Sequence, residues 1–206
     1  MNILLCIILG FIIASTGSIS PSFLNLTVVK FSLKSGKKAA LFLIGGFATV
    51  LFFQANIGAY LASILMKNST YITLIQQIGT VILFILSANF LRLHFNQSKT
   101  TNKIEIKKSK AYLHGLGMSL LNTFAIPFYF TTISFLIGLN YFDYSLYNAF
   151  YFSIGSTLGS FTTYSVYAIV ANKIEHKLTK VAQKMDLILA VLTGGVAIVN
   201  LILLLN

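Results

Sequence analysis

Long apolar runs alternate with short polar linkers along the chain. The runs cover about residues 3–29, 39–66, 71–93, 112–137, 145–171 and 186–205. Each is continuously apolar, whereas a membrane β-barrel reads as alternating segments of about ten residues. A spanning helix needs roughly 20 apolar residues. In lipid every backbone polar group must also be satisfied within its own segment, which favours helices. The pattern predicts an all-α membrane protein with six transmembrane helices in a single domain over 1–206.

Polar residues interrupt two of the six runs. Gly17-Ser18-Ile19-Ser20-Pro21-Ser22-Phe23-Leu24-Asn25 breaks the first, and Gly115 through Asn122-Thr123-Phe124-Ala125-Ile126-Pro127 breaks the fourth. These stretches hold the only two prolines, and each has an asparagine within five residues of its proline. Proline removes a backbone donor and clashes with the preceding turn, so spans one and four are expected to be broken helices. Six spans divide into two groups of three, and an odd number makes the second group cross in the opposite sense. The expectation is two inverted three-helix repeats, one over about 1–93 and one over about 112–206, joined by a cytoplasmic loop at about 94–111. Each broken span is followed by one rich in small residues: Gly45, Gly46, Ala48 and Gly58 in the second, Gly155-Ser156-Thr157-Leu158-Gly159 in the fifth. Inverted repeats with discontinuous helices mark many secondary transporters. A half-helix N-terminus attracts an anion and unwound carbonyls attract a cation. Paired breaks would therefore suit a zwitterion without any charged side chain.

Charge orients this picture. The chain is 56% hydrophobic and 9% charged, with a formal net charge of +11. Of the 15 basic residues, all but Lys67 fall in linkers one, three and five. The positive-inside bias makes those linkers cytoplasmic and puts both termini outside. The same bias accounts for the basic balance, so no nucleic-acid partner is expected; the expected partner surface is the lipid bilayer. The first run lacks the basic n-region of a signal peptide and is expected to be a retained span. The loop over about 96–110 has topology and solubility as its ordinary explanation, with lipid headgroups as a second. In linker five Ile174, Leu178, Val181 and Met185 recur at helical spacing among lysines. That predicts a short amphipathic helix at the membrane surface.

The lone Cys6 excludes a disulfide framework. No metal-ligand cluster, nucleophile–base set or phosphate loop is apparent, so no metal, cofactor or enzymatic activity is expected. Ser119 follows Gly117-Met118, but position 121 is leucine, which rejects a hydrolase elbow. No aspartate or glutamate falls in mid-span.

The candidate substrate and gating residues are Ser20, Pro21, Ser22 and Asn25 at the first break, with Asn122 and Pro127 at the second. For Asn25 the competing role is a cap on freed carbonyls. Gln54 and Asn56 are candidates for the pathway lining or for helix–helix hydrogen bonds. Ser156, Ser160 and Thr163 share a face with Ser153 at helical spacing. They form a close-contact surface beside Gly155 and Gly159, or a path lining. Such small-residue faces would also suit a homodimer.

The opening Ile19-Ser20-Pro21-Ser22-Phe23-Leu24-Asn25, the basic Lys34-Ser35-Gly36-Lys37-Lys38 and the Gly45-Gly46 span together resemble the start of the LysE/RhtB amino-acid exporter family. Leu121-Asn122-Thr123-Phe124-Ala125-Ile126-Pro127-Phe128 resembles its asparagine–proline element in helix four. Of the family's proline-glycine-proline turn this chain keeps Pro21. Asn122 is followed by Thr123, and the proline comes at Pro127. The resemblance covers nearly the whole chain. It implies export of amino acids or similar small solutes across the cytoplasmic membrane, driven by the proton gradient. The alternative is a non-transporting membrane component, a regulator or assembly subunit, that binds a partner through its small-residue faces.

Overall fold

The computed structural model describes residues 2–20, 22–67, 70–95, 110–122 and 124–205. The described residues form α1 (Ile3–Ile19), α2 (Phe23–Ser35), α3 (Lys37–Lys67), α4 (Thr70–Phe95), α5 (Ala111–Leu120), α6 (Ala125–Gly138), α7 (Leu146–Ile169) and α8 (Ala171–Leu205).

Both interrupted runs are broken helices. The chain bends by 78° between α1 and α2 and by 61° between α5 and α6. Pro127 is not within the second break. It is the third residue of α6, in a first turn whose N–H groups have no intrahelical acceptor, so its missing donor costs little there. Pro21 lies outside the described residues, as do 96–109 of the basic loop.

Two linkers differ from expectation. Linker one is barely a loop: α2 runs to Ser35 and α3 starts at Lys37, joined by Gly36 at φ 88°, a conformation that favours glycine. Linker five does not form a separate surface helix. It is the first part of α8, which continues into the last apolar run because no glycine or proline interrupts it before Gly194. Ile174 packs with Leu26, Val29, Tyr167 and Ala171, against the start of the bent α2. Leu178, Val181 and Met185 lie outside the described side chains.

Among the described residues, one helix is long and apolar enough to cross a membrane unaided, over Lys37–Ile64. Taking each bent pair as one span raises the number to three, and Gly79–Arg92 and Leu187–Ile202 are shorter apolar helices. The 24 residues of α7 are long enough, but Ser153, Ser156 and Ser160 face the interior and lower its mean hydropathy.

The core is centred on α3, which packs against α5, α6 and α7, while α1 packs against α7 and α4 against α8. Phe47, Leu43 and Ile44 of α3 are fully buried with Phe152 of α7 and Ile133 of α6. The outer faces carry apolar residues such as Phe42, Phe53, Val191 and Leu192, as lipid contact requires.

Two helix crossings follow one rule. A Cβ on Gly10 of α1 would lie 2.1 Å from the Phe152 carbonyl oxygen, and one on Gly155 of α7 would lie 2.0 Å from that of Ile7. A Cβ on Gly115 of α5 would lie 2.1 Å from the Leu43 carbonyl oxygen, and one on Gly46 of α3 would lie 2.3 Å from that of Tyr112. In all four cases a glycine meets the carbonyl three residues before its partner glycine. Only an absent side chain allows backbones this close, which is how small residues hold membrane helices together.

Candidate functional site

A helix that ends inside a membrane protein leaves its last carbonyls without intrahelical partners. Where lipid surrounds such an end no water replaces them, and leaving them bare costs several kcal/mol each. Side chains from elsewhere in the chain solve this at both breaks.

At the first break, α1 ends at Ile19 and Ser20 turns the chain with φ −59° and ψ 123°. Asn25, fully buried in the first turn of α2, donates from Nδ2 to the Ser18 carbonyl oxygen at 2.8 Å. Its Oδ1 accepts from the Ser22 backbone N–H at 3.1 Å and from the Ser22 hydroxyl. The next carbonyl, that of Ile19, accepts from the Tyr167 hydroxyl of α7 at 2.7 Å. Ser18 adds a side-chain bond, donating to Ser160 Oγ of α7 at 3.2 Å. Asn25 thus makes the capping bonds considered for it above, and Ser22 belongs to the same local network.

At the second break, Asn122 stands between α5 and α6. Its backbone N–H bonds the Ser119 carbonyl at 3.0 Å, and its own carbonyl accepts from Ala125 N–H at 3.4 Å. Gln54, buried on α3, directs Nε2 at the carbonyl oxygens of Ser119 and Asn122, at 3.2 and 3.4 Å. The Ser119 hydroxyl donates in turn to the Phe47 carbonyl oxygen at 3.3 Å. Gln54 makes an interhelical bond of the kind considered for both amides. Asn56 does not: its Nδ2 donates to Phe52 O one turn back on its own helix, at 3.0 Å.

The two amides differ in one respect. Asn25 Oδ1 has two donors, whereas buried Gln54 Oε1 has no hydrogen-bond partner among the described residues. An orphaned buried acceptor costs about 1–3 kcal/mol.

Between the breaks runs a line of buried hydroxyls that the apolar pattern concealed. Tyr129 of α6 interacts with Ser156 and Ser160, and Tyr164 of α7 interacts with Ser18. Tyr129 and Tyr164 are 2% and 4% exposed, so their hydroxyls face protein rather than solvent. The Ser156 hydroxyl is fully buried and lies near the Tyr129 hydroxyl, but completes no well-formed hydrogen bond among the described residues. Phe47 packs edge-on against Tyr164, with centroids 5.5 Å apart. Thr163 is half-buried on the same helix. The structure therefore brings Ser22, Asn25 and Ser160 together at the first break, and Gln54 and Asn122 at the second. Ser18, Ser119, Tyr129, Tyr164 and Tyr167 complete the arrangement. Sequence reasoning missed Ser18, Ser119 and Tyr129 as participants. The available signal was a hydroxyl inside an apolar run beside a break.

The buried polar side chains among the described residues are amides and hydroxyls. Such a lining binds and orients polar groups by hydrogen bonds and carries no fixed charge.

No curated protein and no solved structure gives a significant match. The family model of the LysE type translocator matches residues 15–203 of the 206, a stretch that includes both breaks and every side chain that holds them. The chain therefore belongs to the LysE type translocator family, whose members are membrane transporters.

Proposed function

We propose that the chain is a secondary transporter exporting amino acids or similar small solutes across the cytoplasmic membrane, by alternating access and driven by the proton gradient. The observation that carries this is the pair of broken helices whose freed carbonyls are held by side chains of other segments. Hydrogen bonds between side chain and backbone can be exchanged for bonds to a solute, which continuous helices do not permit. A membrane solute site built at helix breaks needs no charged side chain.

The reciprocal glycine contacts support two inverted repeats, with α1 corresponding to α5 and α7 to α3. The breaks are not at matching depth. Ile19 is nine residues past Gly10, whereas Leu120 is five past Gly115, a difference of about one helical turn. In this proposal Ser20, Pro21, Ser22, Asn25, Asn122 and Pro127 form the gating region, and Gln54, Ser156, Ser160 and Thr163 line the path. Six spans with both termini outside follow from the charge alternation. A non-transporting regulator draws no support from a translocator family.

The test is export of an amino-acid panel by cells that overproduce the protein. Pro21→Leu and Asn122→Ala should each lower export at normal membrane levels. Undiminished export by both variants removes these residues from the site, and no export of any solute by the unaltered protein ends the proposal.

A further inference from the structure

Resting on that transport proposal, we infer that Gln54 Oε1 and the C-terminal end of α5 form a docking point for a primary ammonium group, and that the solute is a zwitterion without net charge. Gln54 is 6% exposed, and its amide cannot be turned around. Two carbonyl oxygens, of Ser119 and Asn122, face one end of it, and only the NH2 end can meet two acceptors. The other end is therefore the oxygen, and among the described residues that oxygen has no partner. Buried acceptors are rarely left so, and each such atom needs an explanation.

The surroundings select the kind of donor. The ten residues of α5 end at Leu120, and the C-terminal end of a helix carries partial negative charge. A cationic donor is favoured there over a neutral one. An ammonium brings three N–H groups in a compact head. One reaches Gln54 Oε1, and the others can take over carbonyl acceptors that the Gln54 Nε2 bonds now hold at long distance. Five residues further on, α6 starts at Ala125 and presents the opposite, positive end of a helix, suited to a carboxylate.

Net charge follows from the rest of the core. The buried polar side chains described are amides and hydroxyls, so a solute with an uncompensated charge would be buried without a partner. A zwitterion carries its own counter-charge. The class is α-amino acids with uncharged side chains, in preference to lysine or arginine.

Proteoliposomes containing the purified full chain are loaded with three probes: the uncharged-side-chain L-amino acids, the same set N-acetylated, and lysine with arginine. Release is followed by mass spectrometry. The unaltered protein should release the free amino acids and hold back the acetylated set by roughly tenfold or more, the loss expected for one hydrogen bond to a charged group. Gln54→Leu should reduce release of the free set about as much. Gln54→Glu keeps an acceptor and adds a charge, so it should raise lysine and arginine release relative to the uncharged set. Equal release of free and acetylated solutes, or preference of the unaltered protein for lysine, overturns the inference. So does a uniform loss for every solute in both variants, which marks Gln54 as a structural brace, and so does replacement of the ammonium requirement by a sodium requirement. In those cases transport itself stands; no release of any probe by the unaltered protein removes both.

Discussion

Asn25→Ala is the sharpest probe of how the first break is held. It removes one donor and one acceptor from a fully buried position. The Ser18 carbonyl loses its 2.8 Å partner, and the Ser22 N–H loses its 3.1 Å partner. The Ser22 hydroxyl can rotate to another acceptor, so it is left out of the sum. Two backbone groups orphaned at about 1–3 kcal/mol each, with some relief at half-exposed Ser22, put the loss at about 2 to 4 kcal/mol. Asn25→Asp keeps the acceptor but sets a buried carboxylate against the Ser18 carbonyl, so it should cost more than alanine. The chain supplies its own unfolding reporter. It has no tryptophan, and its single cysteine, Cys6, is fully buried. A thiol-reactive fluorophore will report heating as Cys6 becomes exposed. Asn25→Ala should melt several degrees lower and export less. Tyr167→Phe removes the hydroxyl that bonds the adjacent Ile19 carbonyl and interacts with Asn25, a loss of about 1 kcal/mol. The double variant should deviate from additivity by at least about 0.5 kcal/mol, because both groups hold one helix end. An unchanged melting curve for Asn25→Ala, or strict additivity with Tyr167→Phe, refutes the capping account.

Other consequences can be checked in the same preparations. Gly155→Val and Gly46→Val should each destabilise by about 1–3 kcal/mol or more through overpacking, since a Cβ alone would meet carbonyl oxygens at 2.0 and 2.3 Å; wild-type melting of either would unseat the crossings. Ser156→Ala removes a buried hydroxyl that completes no well-formed hydrogen bond among the described residues, so it should hold or raise stability by up to about 1 kcal/mol while lowering export, and a stability loss would mean that its approach to Tyr129 is a formed bond in the native state. A reporter enzyme fused after Asn206 should lie outside the cytoplasm, and a cytoplasmic signal would overturn the six-span topology.

Much of the helical organisation was legible in the linear pattern because lipid enforces it. Continuous apolar runs of this length have few options but helix, and a proline with flanking polar residues in such a run marks a break. The bends at α1–α2 and α5–α6 fall within the two stretches singled out on those grounds. The errors are local and have local causes. Charge marked linker one as a loop, but lysines are good helix formers, and only Gly36 interrupts the helix. The lysines of linker five likewise sit within one continuous α8. Pro127 falls outside the break because a first-turn proline is compatible with the start of a helix and need not interrupt it.

The linear pattern is enough to place the apolar helical runs, the two breaks, and the lack of an acid in the middle of those runs. Those are one-dimensional properties, since a segment's solvent and its backbone hydrogen bonds depend on its own residues. Which side chain answers each freed carbonyl depends on how the helices pack in three dimensions. Asn25 reaches back across its own bend, Tyr167 arrives from α7, and Gln54 crosses from α3 to the end of α5. These partners lie 7, 148 and 65 residues from the groups they satisfy. The pairing is fixed by how closely backbones approach at Gly10, Gly46, Gly115 and Gly155, and that depends on both helices of each crossing at once.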